Sequence, residues 1–432
     1  MAELIVSIEQ QGQMIPVGSI SGHNLTDAHF YYHDEYAEKS DAVPISVSLP
    51  LEKKEFTPEE TRTFFEGMLP EGFTRRAVAK WMHRDDYDYL SILHGLGREC
   101  LGAVNISAPG EQAVCSYEPV SGQQLRDFAA EGALKSAEIV TKTHLSLTGA
   151  SGKAGLYMAP DNKTWYLPRG TAPSTHIVKQ SHVRLGSIVE NEQLCMKTAE
   201  RCGIDTPRSF IVNTGGGGEG ELLFATPRYD RSFESDSELI SGLPRPLRLH
   251  QEDFAQAMGI PASEKYETGD EHYLRRMFDT LRKHSSDPIG DQMKMWDMVV
   301  FDFLIGNTDS HIKNFSLLYS PDLKSVRLSK AYDIVSTAIY EQSTRDMAFG
   351  IGGINVLDQI DAASFERAAE EAGIGRRIAM RRFDRMCGVF ENALAESARE
   401  LQDEGVIRAS ELAERMLECG GYKRLYKTSG MA

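Results

Sequence analysis

The spacing of apolar residues changes character at about Tyr229, and that change limits the folds open to the chain. Before it, short apolar runs bounded by turn residues predominate, as strands require. Beyond it, apolar residues recur at three- and four-residue intervals, as helices require. Residues 4–9 and 14–20 flank Gln10-Gln11-Gly12-Gln13, a hairpin signal. Residues 44–51 read as a second extended stretch ahead of a helical region, 58–81, which Pro70-Glu71-Gly72 splits in two. Strands are expected at 143–148, 155–159, 165–168, 175–180, 207–213 and 221–226. A helix is expected at 191–202, with Leu194, Cys195, Thr198, Ala199 and Cys202 on one face and Gly203 ending it. Later helices are expected at 251–258, 271–285, 290–305, 362–372 and 376–400. A chain of 432 residues is too long for one core, and it carries no repeat that would signal a solenoid. The reading is an α+β, bilobal arrangement, a strand-rich half followed by a helical one.

Charge and cysteine usage exclude several classes. Lys plus Arg number 47 against 63 Asp plus Glu, a formal net charge of −16. Phosphate contacts need clustered cations, so nucleic-acid binding by the chain alone is not expected. One local cluster, Arg376, Arg377, Arg381, Arg382 and Arg385, reads either as a DNA-phosphate contact or as the solvated face of a helix. The six cysteines form no CxxC pair, against a zinc ribbon or redox motif. The N-terminus lacks a basic region and a long apolar stretch, so no signal peptide is expected. No apolar run reaches membrane-spanning length. A cytoplasmic location and no membrane partner follow as expectations.

Chemistry concentrates in Gly306-Asn307-Thr308-Asp309-Ser310-His311-Ile312-Lys313-Asn314, which follows the apolar helix ending near Ile305. Phosphoryl transfer requires a backbone cradle for phosphates, a lysine on the nucleotide, oxygen ligands for a metal, and a carboxylate facing the acceptor. Asp309 and Asn314, five residues apart, have the spacing that lets an aspartate face a hydroxyl while an amide oxygen holds a metal. Asp333, in Ala331-Tyr332-Asp333-Ile334-Val335, follows expected strands at 315–319 and 325–328 and adds a hard-oxygen ligand. Lys179 ends the strand Thr175-His176-Ile177-Val178-Lys179, from which a lysine reaches phosphates, and Glu192 on the next helix is its candidate ion-pair partner. Ser146-Leu147-Thr148-Gly149-Ala150-Ser151-Gly152-Lys153 is the candidate phosphate loop. The run Gly215-Gly216-Gly217-Gly218 lacks a following Lys-Ser/Thr and opens no helix, so it reads as a hairpin turn.

The loop 306–314, continued by Phe315-Ser316, resembles the catalytic-loop signature of HipA-type serine/threonine kinases, the toxins of HipBA toxin–antitoxin modules. Phe64-Phe65-Glu66-Gly67-Met68-Leu69-Pro70-Glu71-Gly72, Gly97-Arg98-Glu99-Cys100-Leu101-Gly102-Ala103, 173–179, Asn191-Glu192 and 251–256 match that family in the same order. The resemblance implies a protein-kinase-like (HipA-like) fold with a mixed N-lobe (106–229), a helical C-lobe (230–432) and an extra N-terminal α+β subdomain (1–105). It implies ATP and Mg2+ as cofactors, Asp309 as the catalytic aspartate, Asn314 and Asp333 as metal ligands, and Lys179 as the nucleotide lysine. Thr148, Gly149, Ala150, Ser151, Gly152, Lys153 and His311 join the nucleotide-binding set, with Pro227-Arg228-Tyr229 as the hinge that meets adenine. The proline there departs from an expected acidic residue, and the phosphate loop departs from the family's Ala-Gly-x-Gln-x-Lys form.

The same resemblance implies silencing by autophosphorylation at Ser146, with Thr148 as a second hydroxyl. A phosphate there would repel nucleotide phosphates held in the loop. It implies an aminoacyl-tRNA synthetase as acceptor, of the glutamyl-tRNA synthetase type, and a small DNA-binding, HipB-like antitoxin as partner, with DNA reached through the antitoxin. The alternatives are a small-molecule kinase of the aminoglycoside or choline type, which shares the Asp-x-x-x-x-Asn loop, and a catalytically silent corepressor scaffold. Metal-dependent hydrolysis by Asp309 and His311 is a remoter reading, since a histidine there serves to hold the loop by hydrogen bonds.

Overall fold

The computed structural model describes residues 3–111, 114–131, 152–181, 185–215 and 218–427. The chain forms two compact units, one of Met1–Val183, Val212–Ala262 and Leu317–Val326, the other of Arg184–Ile211, Ser263–Ser316 and Arg327–Ala432.

The first unit opens with the expected hairpin, β1 (Leu4–Gln10) and β2 (Gln13–Ser21), in register from Leu4 opposite Ile20 to Gln10 opposite Gln13. With β3 (His29–Tyr32) and β4 (Val104–Ser107) it makes a four-stranded sheet ordered β3-β2-β1-β4. Val6, Ile8, Val17, Ile20 and Phe30 are fully buried in it. The helical region divides where Pro70-Glu71-Gly72 predicts, into α1 (Pro58–Glu66) and α2 (Gly72–Trp81), followed by α3 (Tyr89–Leu96). Thr57 and Glu60 close a capping box at the start of α1, with Pro58 already at the helical φ. The Phe65 ring meets Phe30 edge-on at 5.3 Å, seating α1 on the sheet.

Residues 44–51 are turns, not an extended strand. Their polar groups are used locally. The Ser46 hydroxyl and the Val47 N–H (3.0 Å) both donate to the buried Glu252 carboxylate, as does the Tyr319 hydroxyl (2.5 Å). The segment expected as helix 251–258 starts as a strand, Gln251–Asp253, and turns helical only at Phe254–Met258. Asp253 caps that helix by accepting the Gln256 N–H at 2.9 Å.

A second, six-stranded sheet in this unit contains β5 (Cys115–Pro119), β6 (Lys153–Met158), β7 (Trp165–Gly170), β8 (His176–Gln180), β9 (Phe210–Asn213) and β10 (Leu222–Pro227), ordered β5-β7-β6-β8-β10-β9. Helix α4 (Gly122–Glu131) was not expected, and the expected strand at 143–148 lies outside the described residues. A buried charge cluster ties the two sheets. Glu9, Glu99 and Asp230 meet Arg228, Arg231 and Arg248, with Arg248 Nη2 2.6 Å and Arg231 Nη2 2.8 Å from Glu99, and Arg228 Nη2 2.7 Å from Asp230. No side chain in it is more than 2% exposed. Burial pulls the Glu99 carboxyl up, but the guanidiniums of Arg248, Arg231 and Arg228 overcome this and hold it at about 2.

The second unit is mainly helical: α5 (Ile188–Arg201), α6 (Tyr273–His284), α7 (Pro288–Ile305), α8 (Ala362–Glu371), α9 (Arg376–Asp403) and α10 (Ala409–Cys419), with a hairpin of β11 (Asp346–Ile351) and β12 (Ile354–Val356). Every residue of α7 from Met295 to Ile305 is buried. Against it α9 packs through Phe301 and Phe390 and accepts the Trp296 indole N–H at Ala379 O (3.0 Å). Arg382 and Arg385 pair with Asp297, and Arg376 with Glu366. Arg377 and Arg381 of the expected cluster are exposed, and among the described residues no ion pair engages them. Among the described residues, no helix is long and apolar enough to cross a membrane.

Candidate active site

The apolar α7 delivers the chain to Gly306, whose φ of +72° turns it out of the helix. Directly beneath the following loop lies Asp302, still on α7 and buried. Its carboxylate accepts Asn307 Nδ2 at 2.9 Å and Ser310 Oγ at 2.5 Å, and its carbonyl accepts the Asn307 N–H at 2.8 Å. Burial pushes its carboxyl up to about 6 against these hydrogen bonds. Thr308 is fixed from another side, its N–H and hydroxyl lying 2.7 and 2.8 Å from Thr337 Oγ1. The residue between these anchors, Asp309, is exposed.

A single helical turn, Ile312–Asn314, closes the loop. The Asp309 carbonyl accepts both the His311 N–H (2.8 Å) and Asn314 Nδ2 (3.0 Å). That bond leaves the Asn314 amide oxygen as a hard donor for a cation. His311 is buried, and burial first, then the charges of Lys265 and Lys313, keep it neutral by lowering its pKa well below the ordinary value; Asp333 acts in the opposite sense. Its Nδ1 has no hydrogen-bond partner among the described residues. The ring of Tyr266 stands edge-on to it at 5.3 Å, and the Tyr266 hydroxyl donates to Asp309 Oδ1 at 2.5 Å.

Asp333 adopts φ +57°, the left-handed region that aspartate tolerates better than most residues, and such strain gathers at functional positions. Its neighbours are pinned. The Tyr332 hydroxyl donates to Lys313 O (3.0 Å), and the buried Asn191 of α5 brackets Ser336, donating to its carbonyl (2.9 Å) and accepting its N–H (3.0 Å). Asp309, His311, Asn314 and Asp333 thus belong to one framework in the second unit. Glu192, one residue along α5, is buried there too.

In the first unit, strand register brings together two lysines chosen independently from the sequence. Lys153 on β6 lies directly opposite Lys179 on β8, and Lys179 in turn opposite Phe224 on β10. Paired residues project to the same face, both lysines are more than nine-tenths buried, and Lys179 Nζ sits 5.5 Å from the Phe224 ring centroid. Gly152 precedes Lys153 and its carbonyl accepts the Gln180 N–H. Ser146, Thr148, Gly149, Ala150 and Ser151 lie outside the described residues. At Pro227-Arg228-Tyr229, the Arg228 guanidinium belongs to the buried charge cluster, its N–H donates to Thr175 O at 2.8 Å, and its carbonyl accepts the Arg231 N–H at 3.3 Å. The Tyr229 hydroxyl donates to Gln251.

Sequence reasoning missed Tyr266 and Asp302. Tyr266 carries no spacing signal, being 43 residues from its partner. Asp302 was visible as an acid interrupting the apolar run 298–305, which was a usable sign.

Comparison with known proteins fits this framework. A family model described as the HipA-like C-terminal domain matches residues 145–394. The chain belongs to the HipA family. The model of the HipA N-terminal domain matches residues 11–107. Relatives include Y4mE of Sinorhizobium fredii, 29% identical over 89% of this chain and 91% of its own length. The serine/threonine-protein kinase toxin HipA of Shewanella oneidensis is 25% identical over 88% of this chain and 86% of its own. A solved complex of Shewanella oneidensis HipA, HipB and operator DNA contains a chain that superposes with a TM-score of 0.80 at 22% identity, covering 98% of this chain and 97% of that one. The fold is therefore the HipA-like, kinase-like α+β fold expected from the sequence.

Proposed function

We propose that this HipA-family chain is an ATP- and Mg2+-dependent serine/threonine-protein kinase, the toxin of a cytoplasmic toxin–antitoxin module. The observation that carries the reading is the loop 306–314, in which an exposed carboxylate, Asp309, is presented from a rigid, buried base while Asn314 is tied to the Asp309 carbonyl through Nδ2. Asp309 accepts the proton of the acceptor hydroxyl. Asn314 and Asp333 fit Mg2+, which takes one or two protein oxygens and completes its shell with phosphates and water. Bound there, Mg2+ neutralises charge on the nucleotide phosphates. Lys153 and Lys179, with Gly152 and the loop before them, supply further positive charge to those phosphates. Neutral His311 contributes hydrogen bonding rather than charge. Pro227–Tyr229 serves as the adenine-side hinge, and Glu192 as an ion-pair partner of Lys179. On this reading 1–105, 106–229 and 230–432 are the N-terminal subdomain, N-lobe and C-lobe.

Ser146, with Thr148 as a second site, is the proposed autophosphorylation position. The acceptor class is an aminoacyl-tRNA synthetase of the glutamyl type, and the partner a HipB-like antitoxin that brings the chain to DNA. The composition of the Shewanella complex supports that partner. Comparative phosphoproteomics of cells expressing the wild type or Asp309→Asn tests the reading. A synthetase phosphosite, and phosphate on Ser146 of the wild type only, is the expected result. Identical phosphoproteomes would refute kinase activity, and labelling of a metabolite alone would favour the small-molecule alternative.

A further inference from the structure

We infer that Tyr266 is a positioning residue for Asp309, its phenol holding the carboxylate in the orientation from which it takes the acceptor's proton. This inference rests on the kinase reading of Asp309. An exposed aspartate on a loop samples several rotamers, and a base that must meet a hydroxyl within hydrogen-bond reach loses rate for every one that points elsewhere. The Asp309 carbonyl is shared by the His311 N–H and Asn314 Nδ2, which fixes the backbone. At the side chain, the Tyr266 hydroxyl donates to Oδ1 at 2.5 Å. A carboxylate offers about four lone-pair sites, so a donor on Oδ1 does not stop the group from receiving a proton.

Tyr266 is itself held in place, although 42% of its surface is exposed. Its ring stands at 81° to that of His311, which is buried and forms the floor of the contact. Lys265 Nζ lies 5.3 Å from the ring centroid. The next residue fastens the segment to two elements. The Glu267 N–H donates to Ala348 O on β11 (2.8 Å), and its carboxylate accepts the Gly350 N–H (2.6 Å) and the Tyr273 N–H that opens α6 (2.7 Å). The phenol therefore reaches Asp309 from an anchored stretch of chain, as a residue that fixes a catalytic group must.

The test compares full-length wild type, Tyr266→Phe and Asp309→Asn. It reads total protein-bound label transferred from radiolabelled γ-phosphate ATP, with a heat-treated bacterial lysate as the acceptor pool. Tyr266→Phe removes one oxygen, so its melting curve and affinity for a fluorescent ATP analogue should match wild type and certify a folded site. The expected result is a fall of about 10- to 100-fold in kcat with KM for ATP unchanged. Unchanged kcat in Tyr266→Phe, with Asp309→Asn inactive, overturns the inference and leaves the kinase reading standing. A raised kcat also overturns it, because the phenol would then be an obstruction in the acceptor's place. Equal transfer by wild type and Asp309→Asn overturns the reading of Asp309 and this inference with it.

Discussion

A Cβ on Gly306 would lie 2.6 Å from the Ala338 Cβ and 3.0 Å from the Gly420 Cα, and the backbone there is left-handed. Both facts oppose any side chain at the point where α7 hands over to the loop. Gly306→Ala is expected to cost about 2 kcal/mol or more in unfolding free energy and to lower phosphate transfer, checked by urea denaturation and a transfer assay. The paired lysines make a separate prediction. Lys179→Met removes one of two lysines paired across β6 and β8, and nucleotide binding by calorimetry should weaken about 10-fold or more. At this scale the sequence was most readable where chemistry depends on local spacing, as with Asp309 and Asn314. It was least readable for Tyr266, whose meaning depends on a partner distant in the chain.

Among the elements, the three-residue strand Gln251–Asp253 carries an unusual group, the fully buried Glu252. Its hydrogen bonds come from Ser46, Val47 and Tyr319 and include no cation. Burial raises its carboxyl to about 7 despite those donors. The folded state therefore keeps a proton that the unfolded chain, near 4.5, has lost. Stability from this group is complete below about 4.5 and declines as pH rises towards 7, a cost on the order of 3 kcal/mol. Glu252→Gln should flatten the dependence of unfolding free energy on pH across that window, as denaturant titrations at pH 5 and 7.5 would reveal; an unchanged slope would contradict the assignment. The same cluster explains why 44–51 misled: its apolar residues Ile45 and Leu49 are buried as a strand's would be, but its backbone turns to serve Glu252. Helices α6, α7, α8 and α9 were legible because each presents a long periodic face, whereas the strand at 251–253 was hidden by the capping box that starts the short helix after it.

In a molecule with a formal net charge of −16, the first unit is fastened by an enclosed set of three acids and three arginines. Composition cannot reveal this, since a buried arginine and a surface one read alike. Glu99→Ala would leave Arg231 and Arg248 without their shared carboxylate, and a loss of about 3–5 kcal/mol is expected in thermal or urea unfolding. Replacement of the whole set by apolar residues should be far less costly. The α+β class was legible from the change of periodicity near Tyr229, although the two compact units interleave along the chain rather than dividing there; the charge cluster that binds the N-terminal sheet to the six-stranded one was not legible. In the proposed function, this framework presents Asp309 as the base of a phosphate-transfer reaction. The direct measurement is transfer of labelled γ-phosphate to protein by purified wild type and by Asp309→Asn, each with Mg2+, after melting curves show both folded. Transfer by the wild type and a loss of at least about 100-fold in the variant are expected. Equal transfer by the two, or none by either, would contradict that role.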